Sequence, residues 1–235
     1  MEKPFVFKHF RLMHHLSTMK VGTDAVLLGA WANAENTDAI LDAGTGCGIL
    51  ALMMAQRFLG QIVALDIDSA SVTQALENFQ LSPWSNRLTA INQSFQQFAP
   101  ENPGSIQRII SNPPFFENSL KAPDSRRSNA RHNDTLPFEE FIISAKHVLT
   151  ENGSIQLILP YLSIKSFQSI AEFYDFQLLR QTTIFPKPNM NPERALLEFS
   201  FKHQKSETSD LTIRNTDNNY TDEYKALTRD FYLAF

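Results

Sequence analysis

The stretch Asp42-Ala43-Gly44-Thr45-Gly46-Cys47-Gly48 joins an apolar run at residues 38–42 to a helical pattern at residues 47–58. Glycines at alternate positions allow the backbone to turn sharply and to approach a ligand closely. The first N–H groups of the helix that follows have no partner inside the helix. The stretch therefore predicts a strand, a ligand-binding turn and a helix, which together open a parallel sheet.

The same alternation of apolar runs and helical patterns continues along the chain. Strands are predicted at residues 38–42, 61–66, 88–92, 106–111 and 155–160, with a closing antiparallel pair at 177–185 and 195–201. Helices are predicted at residues 47–58, 69–81, 138–149 and 163–174, and Ser69 is expected to cap the second of these. Strands that alternate with such helices are typical of the α/β class. We predict a doubly wound, mostly parallel, seven-stranded sheet with helices on both faces.

Two segments lie outside this alternation. Residues 1–35 precede the first strand and include a predicted helix at 23–34, and residues 204–235 end in a predicted helix at 221–232. The length of 235 residues suits one domain with small additions. We predict a single domain over residues 1–235, with 1–35 as an N-terminal extension and 204–235 as a C-terminal extension.

The composition restricts the class of protein. The chain has no apolar run long enough for a membrane span and no secretory signal at its start, so we expect a cytoplasmic location. Cys47 is the single cysteine, and we expect it to be packed rather than nucleophilic. His and Cys do not cluster at metal-ligand spacing, so no metal is expected. The net charge of −4 argues mildly against a nucleic-acid partner.

The glycine turn has an acid on either side in sequence. Asp42 comes just before it, and Asp66 ends the second predicted strand roughly twenty residues later, where an acid can accept hydrogen bonds from ribose hydroxyls. A dinucleotide site would show Gly-x-Gly-x-x-Gly and would place a pyrophosphate on the helix end. Asp42 would repel a pyrophosphate and suits a cationic amino-acid group. A tight glycine turn without a ligand remains the alternative.

A second motif, Asn112-Pro113-Pro114-Phe115, follows the fourth predicted strand. Consecutive prolines fix φ and remove N–H donors, so the turn presents acceptors. The Asn112 side-chain oxygen and the Pro113 carbonyl can each accept one hydrogen of an exocyclic amine, and Phe115 can stack on the base. These acceptors suit methyl transfer to an amino nitrogen. A rigid loop with a packed aromatic residue remains the alternative.

The two motifs resemble those of class I methyltransferases that modify amino nitrogens with S-adenosyl-L-methionine. Four further stretches are similar to the bacterial tRNA1(Val) adenine-37 N6-methyltransferase family: residues 22–31, 131–138, 193–199 and 220–235. The resemblance covers nearly the whole chain. It implies a Rossmann-like methyltransferase sheet, S-adenosyl-L-methionine as cofactor, tRNA1(Val) as partner and transfer of a methyl group to the N6 amine of adenine 37, next to the anticodon.

The resemblance also implies which residues form the site. The cofactor would be held by Gly22, Thr23, Asp24, Asp42, Gly44, Thr45, Gly46, Gly48, Asp66, Ile67, Ser94 and Asn112. Asn112, Pro113, Pro114 and Phe115 would form the catalytic turn that holds the target adenine. These enzymes often carry an acid after the third strand that contacts the adenine amine of the cofactor. Ser94 stands at that position here.

Basic residues near the second motif can provide a local positive charge although the net charge of the chain is −4. Phosphate-binding residues are predicted at Lys121, Arg126, Arg127, Arg131 and Lys187. Three other functions stay open. A protein glutamine N5-methyltransferase shares Asn-Pro-Pro but typically continues with Tyr, where this chain has Phe115. A guanine N2-methyltransferase of ribosomal RNA usually brings an additional RNA-binding domain. A non-catalytic S-adenosylmethionine-binding module would not require the intact Asn112.

Overall fold

The computed structural model describes residues 3–17, 21–35, 37–113, 137–202 and 204–235. A short antiparallel pair, β1 (Phe5–Val6) and β2 (Arg11–Leu12), precedes the main sheet. The other strands are β3 (Ala39–Ala43), β4 (Gln61–Asp66), β5 (Leu88–Asn92), β6 (Ile106–Ser111), β7 (Leu149–Pro160), β8 (Gln177–Phe185), β9 (Arg194–Ser200) and β10 (Glu207–Thr212). The α-helices are α1 (Thr23–Trp31), α2 (Ile49–Arg57), α3 (Ser69–Gln80), α4 (Phe95–Glu101), α5 (Phe138–Val148), α6 (Ile164–Phe173) and α7 (Asp222–Thr228).

The main sheet has the order β10-β8-β9-β7-β6-β3-β4-β5. Strand β9 runs antiparallel to both of its neighbours, and the other neighbouring strands are parallel. The chain passes from β3 outward to β5 and then returns to place β6 on the other side of β3. The predicted doubly wound α/β sheet is thereby confirmed, and its order reverses between β3 and β6. Ligands of such sheets bind beyond the carboxyl ends of the strands at this reversal.

The prediction of seven strands is wrong by one, because β10 adds an eighth strand to the sheet of the described residues. It runs parallel to β8, with Glu207 opposite Arg180. The first four residues of β10 are exposed, and they are polar or charged, as is common for an edge strand. Such a strand lacks the apolar alternation from which strands are predicted.

Apolar side chains cover both faces of the sheet. On one face, α1, α2 and α3 pack together with α7 and the aromatic residues near the N-terminus, and Leu28, Met53 and Phe79 are buried there. On the other face, α4, α5 and α6 bury Phe141 and Phe167. Burying one such side chain contributes about 1.5–3 kcal/mol. The two layers hold the carboxyl ends of the strands in fixed positions.

Local capping explains two further differences from the predicted elements. Asp68, and not Ser69, caps α3, because its side chain accepts a hydrogen bond from the Ser71 N–H at 3.0 Å. Helix α4 was not predicted; Ser94 caps it, and Gln97 completes a reciprocal capping box. None of the helices in the described ranges combines the length and the apolar character that a membrane span requires.

Candidate cofactor and acceptor site

Three neighbouring strands bring the two predicted motifs together. In the sheet register, Asp42 of β3 lies opposite Ala64 of β4 and Ile110 of β6. Gly44 follows the end of β3, Asp66 is the last residue of β4, and Asn112 follows the end of β6, so the three residues lie at the same edge of the sheet.

A hydrogen bond from a buried hydroxyl connects the end of β6 to the end of β3. Ser111 is fully buried, and its Oγ donates a hydrogen bond of 2.6 Å to the carbonyl oxygen of Ala43. Asn112 and Pro113, which follow, are partly buried. The predicted acceptor turn thus begins directly beside the glycine loop.

The glycine loop has a backbone that other residues rarely adopt. Gly44, Gly46 and Gly48 have φ values of 79°, 55° and 87°, all in the left-handed region that favours glycine. A Cβ on Gly48 would lie 2.5 Å from a ring carbon of Phe79, so this glycine is required for packing. A Cβ on Gly44 would meet nothing within 4 Å, so this glycine borders open space.

Asp42 is fully buried below the loop. Its Oδ2 accepts hydrogen bonds from the Thr45 hydroxyl at 2.6 Å and from the Ala51 N–H at 3.1 Å. Its Oδ1 has no hydrogen-bond partner among the described residues. Burial raises the pKa of the Asp42 carboxyl from its ordinary 3.8 to about 7, although the two hydrogen bonds act in the opposite direction. Thr45 therefore contacts Asp42, and its predicted contact with the cofactor remains a prediction.

Asp66 closes the other side of the loop. Its Oδ2 accepts a hydrogen bond from the Gly46 N–H at 2.8 Å, and its Oδ1 accepts one from the Asp68 N–H at 2.9 Å. Burial raises the pKa of the Asp66 carboxyl. Each carboxylate oxygen can accept a further hydrogen bond. Ile67, the next residue, leaves 51% of its surface exposed.

These groups fit S-adenosyl-L-methionine in charge and polarity. Asp42 Oδ1, which has no hydrogen-bond partner among the described residues, suits the cationic amino group of the cofactor's methionine part. The lone pairs of the Asp66 carboxylate that remain free suit the ribose hydroxyls of the cofactor. Ile67 offers an apolar surface to a flat base. The sequence prediction missed Asn92, whose Nδ2 donates to the carbonyl oxygen of Ile67 at 2.9 Å and holds that residue in place.

The predicted stretch Gly22–Asp24 begins α1, with Gly22 at the N-cap. The Asp24 carboxylate accepts a hydrogen bond of 2.9 Å from Arg194 Nε. Arg194 begins β9 opposite Pro160, the last residue of β7. The start of α1 therefore lies at the carboxyl end of β7, and the ion pair holds it there.

Ser94 follows β5, which neighbours β4. Its Oγ accepts a hydrogen bond of 3.3 Å from the Gln97 N–H as the cap of α4. This contact is structural, and a contact of Ser94 with the cofactor remains a prediction. Cys47 is buried, and burial raises the pKa of its thiol to about 11, as befits a packed residue.

Several predicted residues lie outside the described ranges: Pro114, Phe115, Lys121, Arg126, Arg127 and Arg131. Lys187 is described, and it lies in the turn between β8 and β9 at the carboxyl edge of the sheet. Among the described residues, no three His, Cys, Asp or Glu side chains are grouped so that they could hold a metal ion.

Three features define a class I methyltransferase that uses S-adenosyl-L-methionine. They are a doubly wound sheet in which β9 lies antiparallel between β7 and β8, a glycine loop after β3, and an acid at the end of β4. The family model of the methyltransferase small domain matches residues 16–182. A tRNA1(Val) (adenine(37)-N6)-methyltransferase of Bacteroides fragilis is 42% identical over 235 residues, which cover 99% of each chain. The chain therefore belongs to the family of tRNA1(Val) (adenine(37)-N6)-methyltransferases.

Solved structures show the same fold at low sequence identity. A predicted O-methyltransferase of Agrobacterium tumefaciens matches with a TM-score of 0.70 and 19% identity, over 88% of this chain and 96% of that one. The Pyrococcus horikoshii protein TYW2, in complex with MeSAdo, matches with a TM-score of 0.59 and 15% identity, over 83% of this chain and 69% of that one.

Proposed function

We propose that this protein transfers a methyl group from S-adenosyl-L-methionine to the N6 amine of adenine 37 in tRNA1(Val), and that it does so in the cytoplasm as a single methyltransferase domain. The observation that carries the proposal is that Asn112 and Pro113 directly follow β6, and that β6 is the neighbour of β3, the strand that leads into the glycine loop. The name of the relative from Bacteroides fragilis, which is similar over its whole length, supports the choice of adenine and of tRNA.

The chemistry follows from the acceptors at the end of β6. The lone pair of an adenine amine is delocalised into the ring, so the nitrogen is a poor nucleophile. Asn112 Oδ1 and the Pro113 carbonyl oxygen would each accept one amine hydrogen and so orient the lone pair. S-adenosyl-L-methionine, when bound, supplies an electrophilic methyl group on a sulfonium.

The same two acceptors favour the transition state over the bound substrate. As the new bond forms, the nitrogen becomes positive, and a hydrogen bond from a charged donor contributes about 1.5–3 kcal/mol against about 1 kcal/mol for a neutral one. This difference lowers the barrier because it arises only as charge develops. The proton that the nitrogen then loses passes to water, since neither Asn112 nor Pro113 is a base.

Exposed side chains at the carboxyl edge of the sheet, the edge at which Asn112 lies, support an RNA acceptor. Tyr161 and Leu162 follow β7 at the carboxyl edge, with 39% and 91% of their surfaces exposed. Met190, in the β8–β9 turn with Lys187, is 49% exposed. Exposed aromatic and apolar side chains next to a cation suit the unstacked bases and phosphates of a single-stranded RNA loop. An anticodon loop has this character.

A methyl-transfer assay tests the proposal. Purified protein and labelled S-adenosyl-L-methionine are offered three acceptors: unmodified tRNA1(Val), the same tRNA with guanine in place of adenine 37, and a glutamine-containing peptide. We expect N6-methyladenosine, identified by mass spectrometry after digestion, in the first acceptor alone. Equal labelling of the guanine variant would refute the assigned nucleotide, and labelling of the peptide alone would refute an RNA acceptor.

A further inference from the structure

Helix α3 buries polar side chains on the face that it turns toward the N-terminal segment. Ser71, Gln74 and Asn78 leave at most 1% of their surfaces exposed. Their spacing of three and four residues places them on one face of the helix. Buried polar groups are costly unless they are hydrogen-bonded, so this face requires a polar partner.

The partner is the segment Met13–Ser17, which we name the strap. Asn78 Oδ1 accepts a hydrogen bond from the Met13 N–H, and Asn78 Nδ2 donates one to the Met13 carbonyl oxygen, both at 2.8 Å. Asn78 Nδ2 also donates to the carbonyl oxygen of Cys47 at 2.8 Å. One side-chain amide thus holds the strap and the glycine loop together.

The remaining contacts extend along the strap to the loop itself. The Leu16 N–H donates to Gln74 Oε1 at 3.1 Å. The hydroxyl oxygens of Ser71 and Ser17 lie 3.3 Å apart. A Cβ on Gly46 would lie 3.4 Å from Ser17 Oγ, so the strap runs in contact distance of the loop.

The strap also touches the other predicted cofactor stretch. His14 Nδ1 accepts a hydrogen bond from the Val21 N–H at 3.4 Å. Val21 immediately precedes Gly22, the N-cap of α1. The strap therefore connects the two backbone segments between which the amino-acid part of the cofactor is expected.

We propose that the strap forms one wall of the cofactor site and that Asn78 is the positioning residue that fixes this wall against the glycine loop. The inference rests on the cofactor part of the proposed function and does not depend on the acceptor. Without Asn78, Met13 and the Cys47 carbonyl lose their common partner, and the wall is no longer held. The chemical step, which takes place at Asn112, is left unaffected once the cofactor is bound.

The test compares Asn78→Ala with Gln156→Ala. Gln156 is a matched control, because its buried amide also exchanges two hydrogen bonds with one backbone residue, Asn33, and makes a third to Glu198. It lies in β7, away from the strap. Equilibrium binding of S-adenosylhomocysteine is measured by calorimetry, melting temperatures are recorded, and KM and kcat are measured with S-adenosyl-L-methionine.

We expect both variants to melt at lower temperatures, but only Asn78→Ala to weaken S-adenosylhomocysteine binding, by about tenfold or more. Its KM for S-adenosyl-L-methionine should rise in the same proportion, and its kcat should stay within about twofold of wild type. Wild-type affinity in Asn78→Ala, or an equal loss of affinity in Gln156→Ala, would overturn the proposal. A wild-type protein that does not bind S-adenosylhomocysteine at all would instead contradict the cofactor.

Hydrogen exchange on the wild-type protein decides the question if Asn78→Ala does not fold. The Met13 and Leu16 amides are bound to side chains of α3, and they should exchange more slowly when S-adenosylhomocysteine is added, because a wall gains contacts from its ligand. Unchanged exchange of both amides at saturating ligand would refute the role of the strap.

Discussion

Replacement of Asp42 by Asn should remove a pH dependence from the stability of the ligand-free protein. The Asp42 carboxyl is fully buried, and burial raises its pKa from 3.8 to about 7. An amide has nearly the same shape, and its oxygen can still accept hydrogen bonds from Thr45 and Ala51. The substitution therefore removes the ionisable group while it preserves the packing around it.

The sign and the size of the effect follow from proton linkage. Between pH 4 and pH 7 the unfolded chain has lost the Asp42 proton and the folded protein still holds it, so the free energy of unfolding falls as pH rises through this window. The contribution is fully present below the unfolded pKa and is lost once pH passes the folded pKa. Between pH 5 and pH 8 the wild-type protein should lose about 2–3 kcal/mol relative to Asp42→Asn.

Urea unfolding of both proteins at pH 5, 6, 7 and 8 measures the difference. Asp66, whose pKa is also raised, is present in both proteins, so its contribution largely cancels. Asp38→Asn, at an exposed position just before β3, is the control for the loss of one carboxyl group at the surface. A difference between wild type and Asp42→Asn that stays constant from pH 5 to pH 8 would refute the account of a desolvated carboxyl that keeps its proton.

Four other substitutions, one of them paired with a control, test the rest of the site. Gly48→Ala should destabilise the protein by about 2–4 kcal/mol, because strain at positive φ adds to a clash with the Phe79 ring. Gly44→Ala should cost only about 1 kcal/mol in stability but should prevent cofactor binding. Equal melting temperatures of the two variants would contradict this contrast. Asn112→Ala should abolish methyl transfer while S-adenosylhomocysteine still binds, and parallel losses of both would contradict its role at the acceptor. Lys187→Ala should weaken tRNA binding and should reduce, by about one, the slope of the logarithm of the binding constant against the logarithm of the salt concentration. Lys205→Ala, at the amino edge of the sheet, should leave this slope unchanged. Identical slopes for the two variants would show that Lys187 does not contact a phosphate.

The strands inside the sheet were predictable because burial leaves a signal in the sequence. The runs 61–66 and 106–111 are rich in apolar residues, and the structure has strands inside the sheet at the same residues. The edge strand β10 is mostly polar and exposed, so its pairing depends on the neighbour and not on its own pattern. Helix α4 was missed although Ser94 and Gln97 carry a capping signal, because it is short and contains Pro100.

The glycine loop after β3 and the position of Asn112 directly after β6 were predictable because each motif is contiguous in the chain. Asp42 and three glycines in fixed order define a local geometry before any tertiary contact is known. Asn78 was not predictable in the same way, since its role depends on Met13, which is 65 residues away in the sequence. A polar residue every three or four positions on α3 was the available signal, and an ordinary solvent-exposed face would show the same pattern.

The strand order has a consequence for synthesis of the chain. Within the described sheet, β8 pairs with β9 and β10, and both of these follow it in sequence. While the ribosome is still making residues 186–193, neither partner strand of β8 has been synthesised. During the same time the mostly apolar stretch Ile155–Leu159 of β7 lies at an unpaired edge of the sheet. Strands β8 and β9 must therefore join β7 together after residue 200 has emerged, and β10 is added at the edge afterwards. The strands that carry the glycine loop can pair well before then.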